Sequence, residues 1–207
     1  SFDPTRSDVF FANLALTAPT NRTPWIQTTV IEKDQLTADL LKNQAVVILA
    51  NVDALTDVQA GALIDFVNQQ GGGVMLALGD QVDPEQYQRQ LFKAEGLIPV
   101  ELKAKEAAQG LEFGNVIQID SDSLQTPWLK RFRGEYANGL TAARFNHWWD
   151  LTLLDIEALP AEEQGDATDS SPSTAPQSIA RLSNQKPLLV MMNHARGRVL
   201  LMTSSLD

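Results

Sequence analysis

The stretch from residue 45 to residue 92 most constrains what this chain can fold into. Ala45 to Ala50 (AVVILA) is an uninterrupted apolar run, suited to a strand buried on both faces. A helix with a clear start comes next. Thr56 can cap its first turn, and Gln59 stands three residues later, the spacing of a capping box. Val58, Ala62 and Phe66 recur every four residues with Leu63 and Val67 beside them, which predicts one core-facing stripe. Gly71, Gly72 and Gly73 stop the helix, and Val74 to Leu78 (VMLAL) reads as a second buried strand. Asp83-Pro84 opens the next helix, with aspartate as cap, proline at the first helical position, and Tyr87 and Leu91 on the inner face. Strand, helix, strand and helix joined by short connections are the pattern of a parallel sheet flanked by helices. The two strands are expected to be adjacent and parallel, with the helix crossing between them.

The rest of the chain is less regular. Val9 to Leu16 reads as a helix and Gln27 to Ile31 as a strand, with a short helix suggested by Leu36, Leu40 and Leu41. Val116 to Ile119 reads as a strand. Thr126-Pro127 starts a short helix that Gly134 stops, with Trp128, Leu129 and Phe132 as apolar contacts. Leu140 to Leu154 mixes β-formers and aromatics. Ile179 to Leu182, Leu188 to Met192 and Val199 to Thr203 look like three antiparallel strands, the last two joined by a turn over 193–197. The expected fold is α/β: a mostly parallel sheet flanked by helices, with an antiparallel C-terminal extension.

With 207 residues, the chain fits a single domain over 1–207, and 43% hydrophobic residues can fill a core. The absence of cysteine excludes disulfides, thiolate metal sites and a cysteine nucleophile. Two histidines leave little room for a histidine-based metal site or a triad. Twenty-six acidic against 16 basic residues give a net charge of −10, which argues against nucleic acid as a partner. Residues 157–178 carry Glu157, Glu162, Glu163, Asp166 and Asp169 and no base, among Pro, Ser, Thr and Ala; they read as an acidic, flexible insertion. No apolar stretch approaches the ~18–20 residues that span a bilayer. The chain begins at Ser1 and stops at Asp207 just after an apolar run, the expectation for a piece of a longer protein.

Two segments carry a resemblance. NQAVVILANVDALTDVQAGALIDFVNQQGGGVMLALGDQVDPEQY, together with ARGRVLLMTSSLD near the end, resembles the glutamine-amidotransferase-like domain of bacterial membrane proteins of the aerotolerance-operon type. The match covers about a third of the chain. It implies a flavodoxin-like sheet of the class I amidotransferase kind, on a membrane-anchored protein of the cell envelope, with the domain on the periplasmic side. Active members of that superfamily place a nucleophilic cysteine on the turn after the strand matching Val74 to Leu78, and a histidine after a late strand. Here the turn reads Leu78-Gly79-Asp80, and the late strand ends in Thr203-Ser204-Ser205. Both halves of the machinery are missing, so the fold is expected without the chemistry.

Carboxylates at the carboxyl ends of parallel strands converge where open α/β sheets bind ligands. Asn51 and Asp53 follow the first central strand, Gly79, Asp80 and Asp83 the second, and Asp120 and Asp122 a third. Asn51, Asp53, Gly79, Asp80 and Asp122 are the candidate ligand-binding residues. Three carboxylates together suit magnesium or calcium. Asp83, however, is accounted for as a cap, and the others stand where turns favour aspartate, so no metal or cofactor is assigned. The glycine triplet follows a helix and precedes a strand, the wrong order for a phosphate-cradling loop. His147-Trp148-Trp149-Asp150, with Arg144 and Phe145, suggests a stacking platform, but alternate strand residues face opposite ways and core packing is the plainer reading. His194 reads as part of a surface turn, and Lys130, Arg131 and Arg133 as a solvated basic face able to pair with the acidic insertion.

The function expected from all this is a non-catalytic interaction or ligand-sensing module, its partner a protein or another domain of a longer parent chain. Membrane contact would come only through segments outside 1–207. Two alternatives are a carboxylate-dependent metal hydrolase at the strand-end crevice and a carbohydrate-binding module. Convergence of Asp53, Asp80 and Asp122 would favour the first, and an exposed Trp148 or Trp149 beside the crevice the second.

Overall fold

The computed structural model describes residues 8–17, 26–93, 96–108, 116–133, 137–154, 175–194 and 196–206. The N-terminal helix α1 spans Asp8–Thr17. A 3-10 turn over Lys33–Gln35 leads into the short α2, Ala38–Leu41, capped by the Thr37 side chain. Strand β1, Val46–Ala50, is followed by α3, Asp57–Asn68, and β2, Gly73–Ala77. Thr56 caps α3 in the expected reciprocal box: its hydroxyl accepts from the Gln59 N–H, and the Gln59 side chain accepts from the Thr56 N–H. Helix α4, Pro84–Gln90, starts at the Asp83 cap, whose carboxylate accepts from the Glu85 and Gln86 N–H groups. Strand β3, Val100–Ala107, the four-residue α5, Ala137–Leu140, and strands β4, His147–Leu153, β5, Gln177–Arg181, β6, Pro187–Asn193, and β7, Arg198–Met202, complete the order.

The main sheet runs β1-β2-β7-β6-β5. β1 and β2 are adjacent and parallel with Val47 opposite Val74, and β2 is parallel to β7 with Val74 opposite Val199. β7 is antiparallel to β6, and β6 to β5. A separate two-stranded antiparallel ribbon pairs β3 with β4. The expectation of a mostly parallel, helix-flanked flavodoxin-like sheet is therefore corrected. The sheets are mixed, with three antiparallel pairings to two parallel ones among the described residues, and the helices are few. The physical reason lies in the connections. The β5–β6 and β6–β7 links are short turns, which only antiparallel neighbours can use.

The principal core lies between α3 and the sheet. Leu63, Phe66 and Val67 pack in one cluster with Val74, Leu76, Val199 and Leu201, joined by Tyr87, Leu91, Trp149 and Leu151. Val58, placed on this stripe by its spacing, is instead 83% exposed, and Ala60 takes the inward face of the first turn. A second cluster gathers Ile119, Leu124, Leu129, Trp148, Ile179, Leu182 and Leu188.

Other expectations change as well. Residues 27–31 form no strand, and 116–119 contribute only a single bridge, Ile119 to Leu182. The helix expected from Thr126 shrinks to a 3-10 turn over Lys130–Phe132; Leu129 is buried there, while Trp128 and Phe132 are exposed. β3 (VELKAKEA) lacks any apolar run because most of its residues face solvent. β5 begins at Gln177, inside the segment read as the insertion, and residues 155–174 lie outside the described residues. No helix among the described residues is long and apolar enough to cross a membrane.

Candidate functional site

The parallel strands β1, β2 and β7 bring three strand ends side by side: Asn51 after β1, Leu78-Gly79-Asp80 after β2, and Thr203-Ser204-Ser205 after β7. All three ends line one cleft of about 790 Å³, within the size range of small-molecule sites. β3 and β4 supply Lys105 and the run His147-Trp148-Trp149; the stretch before β4 supplies Arg144, Phe145 and Asn146.

Asn51 is the hinge of the strand-end network. Its φ of 51° is left-handed, one of two such non-glycine residues among those described. Its Nδ2 donates to Asp80 Oδ1 at 2.9 Å, and its Oδ1 accepts from the Gln81 N–H at 2.9 Å. A Cβ on Gly79 would fall 2.1 Å from the Asn51 side chain, so glycine is what lets this amide lie across the turn. The Gly79 carbonyl accepts from Trp149 Nε1 at 2.9 Å, which fastens the ribbon to the turn.

The hydrogen bond from Asn51, followed by a backbone hydrogen bond at Asp80 and the charge of Lys105 at longer range, holds the Asp80 carboxyl below its ordinary value of 3.8, against a partial desolvation penalty. A depressed folded-state pKa gives stabilisation that is complete above the unfolded value and lost as pH falls through the folded one. The stability of Asp80→Asn relative to the native chain should therefore rise on acidification below 3.8. Chemical denaturation across that range checks this, and a constant difference would refute it.

Of the five candidate residues, Asn51, Gly79 and Asp80 meet at the cleft; Asp53 and Asp122 do not line it. Asp53 is engaged by Lys33 Nζ at 2.5 Å, and this bond lowers its pKa. Asp122 pairs with Arg133 at 3.2 Å. Asp120 caps a 3-10 turn over Ser121–Ser123 and Asp83 caps α4, each through its own carboxylate. Among the described residues, no three His, Cys, Asp or Glu side chains stand together as metal ligands. The carboxylate convergence that a metal hydrolase would need is thus not formed by these residues.

Trp148 and Trp149 are both buried and belong to different core clusters, as strand alternation requires. Trp148 Nε1 donates to Glu106 at 2.9 Å. The tryptophan that stands exposed on the cleft is Trp128, 45% accessible. His194 departs from the surface reading: it is half-buried, with Nε2 2.7 Å from the Leu97 carbonyl oxygen. Ser204 is buried and its hydroxyl donates to the His147 backbone carbonyl at 2.9 Å, an arrangement in which histidine supplies no base.

Sequence reasoning missed Lys105 and the apolar floor of Met75, Leu189, Leu200 and Met202. Lys105 stands in a strand with no apolar signature. The floor occupies alternate positions of strands that read as buried on both faces.

Fold and site together define a mixed α/β domain with a ligand-sized cleft at the ends of its parallel strands. No family model matches the sequence, and no curated protein does. Among solved structures, the cytoplasmic protein STM3548 from Salmonella typhimurium aligns at a TM-score of 0.53 and 13% identity, over 82% of this chain and 64% of its own. The cytoplasmic protein STM1381 from Salmonella typhimurium LT2 gives 0.53 and 13%, over 83% and 65%. The chain thus spans just under two thirds of either protein, and at this identity the likeness is one of fold alone. An exo-beta-1,4-mannosidase, Op5Man5 from Opitutaceae bacterium strain TAV5, reaches only 0.48 at 12% identity, over 95% of this chain and 26% of its own, too distant to bear on activity.

Proposed function

We propose that this chain is a non-catalytic ligand-sensing module whose ligand occupies the strand-end cleft. The observation that carries this reading is the turn after β2. At the position where a nucleophile would stand, Gly79 and Asp80 are locked to Asn51, and no Cys or Ser lies between Gly71 and Gln90. Such a turn can hold a ligand's polar group, offers no thiol or hydroxyl to attack it, and keeps its carboxylate engaged by the Asn51 amide. The resemblance of residues 43–87 to an amidotransferase-like domain, without that superfamily's cysteine and histidine, supports the same reading.

Two measurements test it. Incubation with glutamine should release no ammonia above buffer; turnover that survives repurification would refute the non-catalytic reading. Screening the chain against a set of small polar metabolites by thermal shift should give stabilisation that Asn51→Ala and Asp80→Asn both abolish. Stabilisation indifferent to both variants would move the ligand away from the cleft. From the resemblance we further propose that the module belongs to a membrane-anchored envelope protein, facing the periplasm, with a protein or a neighbouring domain as partner. The two Salmonella proteins of similar fold are named as cytoplasmic. Fractionation of cells expressing the tagged native protein decides the compartment.

A further inference from the structure

The cleft is lined by two unlike sets of side chains, one apolar and one cationic, and we propose that together they take a small amphipathic carboxylate, an apolar body with a single anionic head. This rests on the cleft being a ligand site and adds the ligand's chemical class. The floor comes from three neighbouring strands. Met75 of β2 stands opposite Leu200 of β7, and Met202 of β7 opposite Leu189 of β6, so the four side chains form a continuous patch on one sheet face. All four are half-buried and line the cleft. In a helix-flanked sheet this face would be covered; here it opens to a cavity that also has Trp128 on its wall. Covering such a patch is favourable in proportion to the apolar area removed from water. The two thioethers let the floor adapt to an alkyl or aryl body of variable shape.

The charged part of the lining has the opposite sign to the rest of the chain. Asp80 is the one acidic residue lining the cleft among the described residues, against Lys105 and Arg144. Oδ1 of Asp80 already accepts from Asn51. Neither Lys105 nor Arg144 has a carboxylate within 4.0 Å among the described residues, whereas Lys33, Lys42, Arg133 and Lys186 each do. In a chain of net charge −10, two cations without an ion pair among the described residues, beside an apolar cleft, form a local positive field. The surplus is one charge, so a monoanion balances it. A guanidinium fork suits the two oxygens of a carboxylate.

The test uses the whole 207-residue chain and three probes of equal length: octanoate, octylammonium and 1-octanol, read by calorimetry and by tryptophan fluorescence. Octanoate should bind saturably, one per chain. A series from hexanoate to decanoate, all below their micellar concentrations, should tighten by about threefold to fourfold per buried methylene. The double substitution Lys105→Gln/Arg144→Gln, at two exposed positions, should weaken octanoate at least tenfold, with circular dichroism confirming the fold. Equal or tighter binding of octylammonium or octanol would overturn the anionic head while leaving the cleft a ligand site. Octanoate affinity unmoved by the double substitution would do the same. If no probe binds while a polar metabolite still stabilises the chain through Asn51 and Asp80, the amphiphile is wrong and the sensing module stands. If neither probes nor metabolites act, both fall.

Discussion

Gly197→Ala is expected to destabilise the fold by roughly 3 kcal/mol, the upper part of the usual range for forcing atoms into a packed site. A Cβ at this position would lie 2.4 Å from the Gly72 carbonyl oxygen, 2.5 Å from the Val67 carbonyl oxygen and 2.9 Å from Val67 Cγ1. Two of these atoms are backbone, held by the end of α3 and the start of β2, so no rotamer change can clear them. The turn before β7 is seated on the same place from other directions. Arg196 donates to the Gln69 carbonyl at 2.9 Å, and the Arg198 N–H to the Gly72 carbonyl at 3.3 Å. The glycine triplet thus does more than stop α3; it provides the ledge on which β7 docks beside β2. Gly61→Ala is the internal control. It lies within α3 with nothing within 4 Å of the added carbon, and should stabilise by about 0.5–1 kcal/mol through helix propensity. Urea unfolding of both variants checks the pair. A Gly197→Ala cost no larger than a few tenths would mean that the ledge yields.

The second large effect is expected at Trp149. The residue is 7% exposed within the principal core, its Nε1 donates to the Gly79 carbonyl, and its backbone N–H donates to the Thr203 carbonyl at 2.8 Å. Trp149→Ala should cost about 3–5 kcal/mol, the range for truncating a buried aromatic. Trp149→Phe keeps most of the ring but leaves the Gly79 carbonyl without its donor, and should cost about 1–3 kcal/mol. The site adds a second readout. Any probe that binds the cleft should bind more weakly to Trp149→Phe, because the turn carrying Asp80 loses its anchor. Equal stability of the phenylalanine and alanine variants would place nearly all the value in the hydrogen bond and little in packing.

The first half of the fold is readable in the sequence because its signals are local. A capping box at Thr56 and Gln59, an aspartate–proline start at Asp83 and two continuous apolar runs fix β1, α3, β2 and α4 within a residue or two. The second half of the chain depends on partners far away in sequence. β3 carries no apolar run to mark it, since its strand character comes from pairing with β4 and most of its side chains face water. The antiparallel run of β5, β6 and β7 is legible in its short turns, but the pairing of β7 with β2, which joins both halves into one mixed sheet, is a contact that no local pattern registers. Asn51, Gly79 and Asp80 are legible because strand ends in such sheets have a geometric meaning. Asp53 and Asp122 fit the same rule in sequence, yet Lys33 and Arg133 hold them elsewhere, and nothing in their local context marks that difference.

The position of β7 in the middle of the sheet has a consequence for how the protein is made. β2 has β1 on one side within thirty residues, but its other neighbour is β7, and Gly73 pairs with Arg198 across 125 positions. During synthesis the apolar β2 must wait with one edge bare until β7 has left the ribosome. Long-range pairings of this kind fold slowly and leave strand edges open to other chains. The early segment can gather as a local strand–helix–strand unit, but its sheet cannot close around it. A chain shortened before residue 198 would therefore lack the central strand and emerge with one edge of β2 bare, a natural target for chaperones and for stalled-chain aggregation.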